Sequence, residues 1–295
     1  MKTLSDWPWL QALLLGVAML TSLPPARADC VLDAPGLVLL NRYDPGTPAS
    51  PESWSLGIRS RKPQDGCQAR LQIEAPDSSG QLVLQGKDPA GLRILLARDA
   101  SGSQPVNIAP QDLGSFALAA GEQAQLTLWA LQAAGQWVEK GIYRSQVRIS
   151  LLDAQGRTED QRDVTFQVQV HPSVQARFGQ ASDALGVNST RLDFGELVQG
   201  DRQRARLTVQ SNSGYMITLR SSQRGRLVNR RFAQAQVPYL LRVDGRPVAL
   251  GGSDAELEVA RPGRQGHDLE IEIGMFERVL AGEYADTLLI TITAQ

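Results

Sequence analysis

Apolar and polar residues alternate with period two in nearly every segment beyond residue 28. Examples are "ARLQIE" at 69–74, "AQLTLWAL" at 124–131, "DVTFQVQV" at 163–170, "YMITL" at 215–219 and "LEIEIG" at 269–274. Successive side chains of an extended strand point to opposite faces, so such runs make half-buried strands rather than one-sided helices. No stretch of comparable helical period accompanies them. Turn signals separate the runs, among them Asp99-Ala100-Ser101-Gly102, Asp153-Ala154-Gln155-Gly156 and Asp244-Gly245. Many short strands punctuated in this way predict an all-β chain built of antiparallel β-sandwiches.

The first 28 residues stand apart. The apolar run "WLQALLLGVAMLTSL" lies behind Lys2 and leads to the small-residue pattern Ala26-Arg27-Ala28. That is the layout of a secretory signal peptide, and the run is shorter than the ~20 apolar residues of a membrane span. Cleavage after Ala28 predicts an exported, soluble product. Without its first 28 residues the chain of 295 is still too long for one small sandwich and fits two domains. With 30 Lys and Arg against 31 Asp and Glu, no net field draws the chain to nucleic acid or a membrane surface. The basic group "RSSQRGRLVNRR" at 220–231 reads as a solvated turn between strands. The two cysteines, Cys30 and Cys67, are expected to pair in an exported chain, stabilising the first domain by roughly 3–4 kcal/mol. Cys67 is in phase with Ala69, Leu71 and Ile73, which puts it on a buried strand face and argues against a redox or metal role.

The strand pattern is written twice. "SLGIRS" (55–60) matches "RLTVQS" (206–211), and "GCQARL" (66–71) matches "GYMITL" (214–219). The strand entering Asp99 matches the one entering Asp244, and "GIYRSQVRISL" (141–151) matches "GEYADTLLITI" (282–292). Order is kept and the offset shrinks steadily, as expected of two copies of one fold that differ by turn deletions. The predicted domains are 29–170 and 171–295, meeting near His171-Pro172. After its Gly-x-Tyr strand the first copy continues through "DAQGRTEDQR" into "DVTFQVQV", with Val164, Phe166, Val168 and Val170 on one face. Nothing corresponds to that run in the second copy, so the first domain is expected to contain a closing strand that the second lacks.

Three segments carry a resemblance to a known family: "RLDFGEL" (191–197), read as the opening strand of the second domain, "VPYLLRVDG" (237–245), and "AGEYADTLLITIT" (281–293). In their order they resemble subunits of bacterial chaperone/usher fimbriae, most closely the spore coat protein U-like family of archaic fimbriae. The first domain repeats the pattern more loosely through "LVLLNRYDPG" (37–46). The resemblance implies two immunoglobulin-like, pilin-type sandwiches, the C-terminal one lacking its final strand. It implies that a periplasmic chaperone, and then a neighbouring fimbrial subunit, lays a strand into that gap, with an outer-membrane usher completing the pathway. Leu192, Phe194, Tyr284, Leu288, Ile290 and Ile292 are then expected to wall the acceptor groove. Because "CVLDAPGLVLL" already reads as folded domain, no donor extension is expected before Cys30. The implied place is the fimbrial tip, at the cell surface, serving attachment to a host or abiotic surface or biofilm formation. Trp54, Trp129 and Trp137 are core residues or, where exposed, candidate contacts with a sugar or apolar surface. Family domains usually carry a disulfide from the first strand to the end of the second. The second domain has none, with Val174 and Ser211 near those places and Tyr215 where the first domain has Cys67.

Enzyme chemistry finds little footing in these residues. His171 and His267 are expected on the surface or in turns, and no Cys/His/carboxylate cluster has metal-ligand spacing. No cofactor-binding glycine loop or Gly-x-Ser-x-Gly elbow occurs. Glu270 and Glu272 form the wet face of a strand more simply than a glycosidase pair. The competing readings are the pathway's own periplasmic chaperone, which donates a strand, and a free-standing carbohydrate-binding sandwich.

Overall fold

The structure, a computed structural model, describes residues 29–75, 82–108, 111–179 and 188–295; the segment 1–28, expected as a signal peptide, lies outside them. Ten strands come from the first half: β1 (Cys30–Asp33), β2 (Leu37–Leu39), β3 (Glu52–Ser60), β4 (Cys67–Glu74), β5 (Leu82–Leu84), β6 (Leu92–Ala97), β7 (Gln111–Leu118), β8 (Gln123–Gln132), β9 (Gly141–Leu152) and β10 (Thr158–Val170). They build two sheets, in the orders β1-β3-β8-β6-β5 and β2-β10-β9-β4-β7. Alternation in the sequence becomes alternation in burial. Trp54, Leu56 and Ile58 of β3 point inward, as do Leu71 and Ile73 of β4, while their neighbours face out. The sheets meet through contacts such as Trp54 on Phe166, edge to face with ring centroids 5.2 Å apart. Cys30 and Cys67 are bridged, with a Cα–Cα distance of 5.5 Å, and tie the first sheet to the second.

The second half supplies β11 (Val174–Phe178), β12 (Arg202–Ser211), β13 (Tyr215–Ser221), β14 (Arg226–Asn229), β15 (Gln236–Val243), β16 (Arg246–Val248), β17 (Ala255–Val259), β18 (Gly263–Ile273), β19 (Tyr284–Ala285) and β20 (Leu288–Ala294). One sheet runs β11-β12-β18-β15-β14-β19, with β16 paired to β15; the other is β17-β13-β20. Asp244 and Gly245, at φ of 50° and 78°, close the β15–β16 hairpin with the left-handed pair that a two-residue turn requires.

The stretch 282–295, expected as one strand, changes sheets partway. Tyr284 and Ala285 pair with β14 of the larger sheet, and Leu288–Ala294 pair with β13 of the smaller one. The expected opening strand "RLDFGEL" is also corrected: 191–197 forms no strand, and β11 opens the domain. Its counterpart in the first domain explains why. β2 is held as a strand by parallel pairing with β10, and the second domain offers no such partner among its described residues.

The two halves join tightly. Asn212, buried between them, donates from Nδ2 to the His171 carbonyl and accepts the Ser173 amide, and its own carbonyl accepts the Lys140 amide. Lys140 Nζ donates to the Gln295 backbone oxygen at 2.7 Å.

Candidate functional site: a cleft beside an unpaired strand edge

The duplicated topology locates the site. β9, β4 and β7 lie side by side in the first domain as β20, β13 and β17 do in the second. In the first domain β10 runs antiparallel along the free side of β9 from Gly141 to Leu152, and β2 pairs beyond it. Val164, Phe166, Val168 and Val170 of β10 are at most 1% exposed. Burying four such side chains contributes on the order of 6–12 kcal/mol. In the second domain the lane beside β20 is empty among the described residues: β20 pairs with β13 alone, and β11, the facing edge, pairs with β12 alone.

Between those edges lies a cleft of about 230 Å³, lined by Val174, Ala176, Arg177 and Phe178 of β11, by Asn188, by Leu207 of β12, and by Ile290 and Ile292 of β20. Leu288, Ile290 and Ile292 face the second core but stay half-buried, whereas Leu289 faces solvent at 58% exposed. β11 is likewise half-buried along most of its length. The inner face of β20 therefore has the alternation of a closed sandwich without its closure.

Of the expected groove residues, Ile290 and Ile292 line the cleft and Leu288 packs on the same core. Tyr284 does not: it sits on β19 in the opposite sheet, its hydroxyl donating to the Leu280 carbonyl. Leu192 and Phe194 lie half-buried in the irregular segment after Asn188 and are not among the cleft-lining residues. The wall formed by Val174, Ala176 and Phe178 is one that the sequence pattern does not single out. Its signal is the alternation in "VQARF", too short to stand out unless β11 is known to be an edge.

Among the tryptophans, Trp54 is 6% exposed and packed on Phe166, so it is a core residue and not a surface contact. Trp129 is half-buried on the outward side of β8, opposite Ser53 of β3 and Ala97 of β6. Trp137 lies in the loop that leads to Lys140, at the pole where the domains meet.

His267, expected at the surface, is buried on β18. Its Nδ1 is 2.7 Å from Asp244 Oδ2, and its Nε2 is 2.6 Å from the hydroxyl of the fully buried Tyr215. The Asp244-Gly245 turn presents that carboxylate, which also accepts the Asp268 amide. Burial, and then the charge of Asp244, push the Tyr215 phenol up to about 12. At the other end of β13, Tyr239 Oη and Ser221 Oγ both donate to Asp286 Oδ2, at 2.7 and 2.5 Å. Burial raises the Tyr239 phenol as well. Glu270 and Glu272 are held below the usual carboxylate range, first by hydrogen bonds from Arg204 and Arg242 respectively. Paired with arginines on the outer face, they are poorly suited to the proton donation glycoside cleavage needs. Among the described residues no group of three or more His, Cys, Asp or Glu could hold a metal ion.

No family model and no curated protein matches the sequence. Among solved structures, the chain is similar to a chain of the CsuC-CsuE chaperone-tip adhesion subunit pre-assembly complex from the archaic Csu pili of Acinetobacter baumannii. That match has 12% identity and a TM-score of 0.51, over 89% of this chain and 99% of that one. Weaker likenesses are to CfaE, the adhesive subunit of CFA/I fimbriae of enterotoxigenic Escherichia coli (12% identity, 90% and 94% coverage, TM-score 0.39), and to the CupB6 tip adhesin of Pseudomonas aeruginosa (10%, 90% and 94%, 0.37). The Csu match, spanning nearly all of both chains, carries the fold: this is an all-β chain of two β-sandwich domains.

Proposed function

We propose that the protein is an exported tip subunit of a chaperone/usher fimbria, of the spore coat protein U-like kind, whose second domain (171–295) accepts a β-strand from another chain. The observation that carries this is the lane beside β20, empty among the described residues, at the place where β10 closes the first domain. An edge with unpaired backbone groups above a half-buried apolar face invites association, and an incoming strand satisfies both. The partners are a periplasmic chaperone, an outer-membrane usher and a neighbouring subunit. The first domain (29–170) faces outward and makes attachment to a host or abiotic surface, with biofilm formation as its setting. Trp129, on an outer sheet face, is the tryptophan best placed to meet a glycan or apolar surface. The role is binding and assembly rather than catalysis. A chaperone would donate a strand; the cleft beside β20 supports the receiving role instead.

The test uses a labelled peptide copying residues 162–170, the strand that already fills this lane in the first domain. It should bind the full chain, and Ile290→Asp, which sets a carboxylate in the apolar cleft, should weaken binding about tenfold or more. Equal affinity for both proteins would sink the reading.

A further inference from the structure

We propose that two polar bridges, one at each end of β13, are positioning elements that hold the incomplete second sandwich at the spacing an incoming strand needs before that strand arrives. The inference rests on the reading of the second domain as a strand acceptor. β13 is the strand from which the cleft wall β20 hangs, with Tyr215 opposite Ala294 at one end and Ser221 opposite Leu288 at the other. At the first end the Tyr215 hydroxyl crosses to His267 on β18 of the larger sheet, and Asp244 fixes that imidazole from behind. At the second end Tyr239 reaches across from β15, and Asp286 joins it to Ser221. Asp286 sits where the chain passes from β19 to β20, and its Oδ1 also accepts the amides of Gln223 and Thr287. Each bridge therefore spans both sheets and grips one end of the strand that carries the cleft wall.

The first domain meets the same need by other means. There β10 fills the lane, and Cys67, which opens β4 as Tyr215 opens β13, is covalently tied to Cys30 on the facing sheet. The second domain has neither device among its described residues. Its smaller sheet is three strands wide, so apolar contact alone sets the gap loosely, while directional hydrogen bonds anchored on the buried Tyr215, His267 and Tyr239 fix a distance. A cleft already at its working width spares the incoming strand part of the ordering cost of binding.

Tyr215→Phe and Tyr239→Phe keep the rings and remove the bridges. The full chain is compared in two forms, as it is and with a copy of residues 162–170 appended after Gln295 through a flexible linker. A seated strand makes the bridges redundant. The double variant should therefore speed amide exchange of β11 and β20 by about tenfold or more in the open form and by less than about threefold in the strand-filled form. Equal acceleration in both forms, or none in either, overturns the proposal. Should the open double variant not fold, the same ratio is read from each single variant. If the appended strand fails to slow exchange at β20 in the unsubstituted chain, the acceptor reading itself falls, and the bridges lose their role with it.

Discussion

Tyr215 concentrates the physics of the second domain in one side chain. It is fully buried, and its hydroxyl lies 2.6 Å from His267 Nε2. Folding raises its phenol from the ordinary 10.0 to about 12, so the folded state favours the neutral form. Its contribution is complete below pH 10 and is lost as pH rises through about 12. Alkaline titration of the full chain, followed by amide exchange along β13 and β18, should show destabilisation in that window. Tyr215→Phe should reduce that pH dependence, and an unaltered alkaline profile would contradict the assignment. Residues of this kind are hard to read from the sequence. Period two marks which face His267 and Tyr215 occupy, but not that a turn two strands away delivers Asp244 to complete the chain of contacts. Ile290 and Ile292 are legible because alternation alone fixes their face, whereas Leu192, Phe194 and Tyr284 depend on pairing partners that the sequence does not display.

Among the elements, β10 and the disulfide separate the two copies. Reducing Cys30–Cys67 should destabilise the first domain by about 4 kcal/mol on the chain-entropy view, given the 37-residue separation, and leave the second domain unchanged. Trp54, Trp129 and Trp137 all lie in the first domain, so in a chain beginning at residue 29 selectively excited tryptophan fluorescence reports on that domain. Denaturant unfolding should show the fluorescence midpoint fall on reduction while exchange protection of β12 and β18 holds. A common shift of both would mean that the domains unfold as one unit. The repeat is visible in the sequence because β-strands keep their inward positions when turns shorten. The sheet change between Tyr284 and Leu288 is not, since both halves continue the same alternation. The loss of a strand at 191–197 follows from the absence of a partner among the described residues, and local propensity carries no trace of it.

At the scale of the whole molecule, a closed sandwich is joined, through Asn212, His171 and Lys140, to one whose β20 edge is unpaired among the described residues. β20 runs toward that joint, ending beside the Gln295 carbonyl that Lys140 grips. A strand pairing antiparallel to β20, as β10 pairs with β9, runs away from the first domain. The most direct measurement is amide exchange, residue by residue, along Leu288–Ala294 of the full chain, alone and saturated with the peptide copying residues 162–170. The account predicts that alone, alternate amides exchange quickly because they face an empty lane while those bonded to β13 are protected, and that the peptide slows the fast set. Uniform protection of all of them in the chain by itself would show the edge already covered and contradict the account.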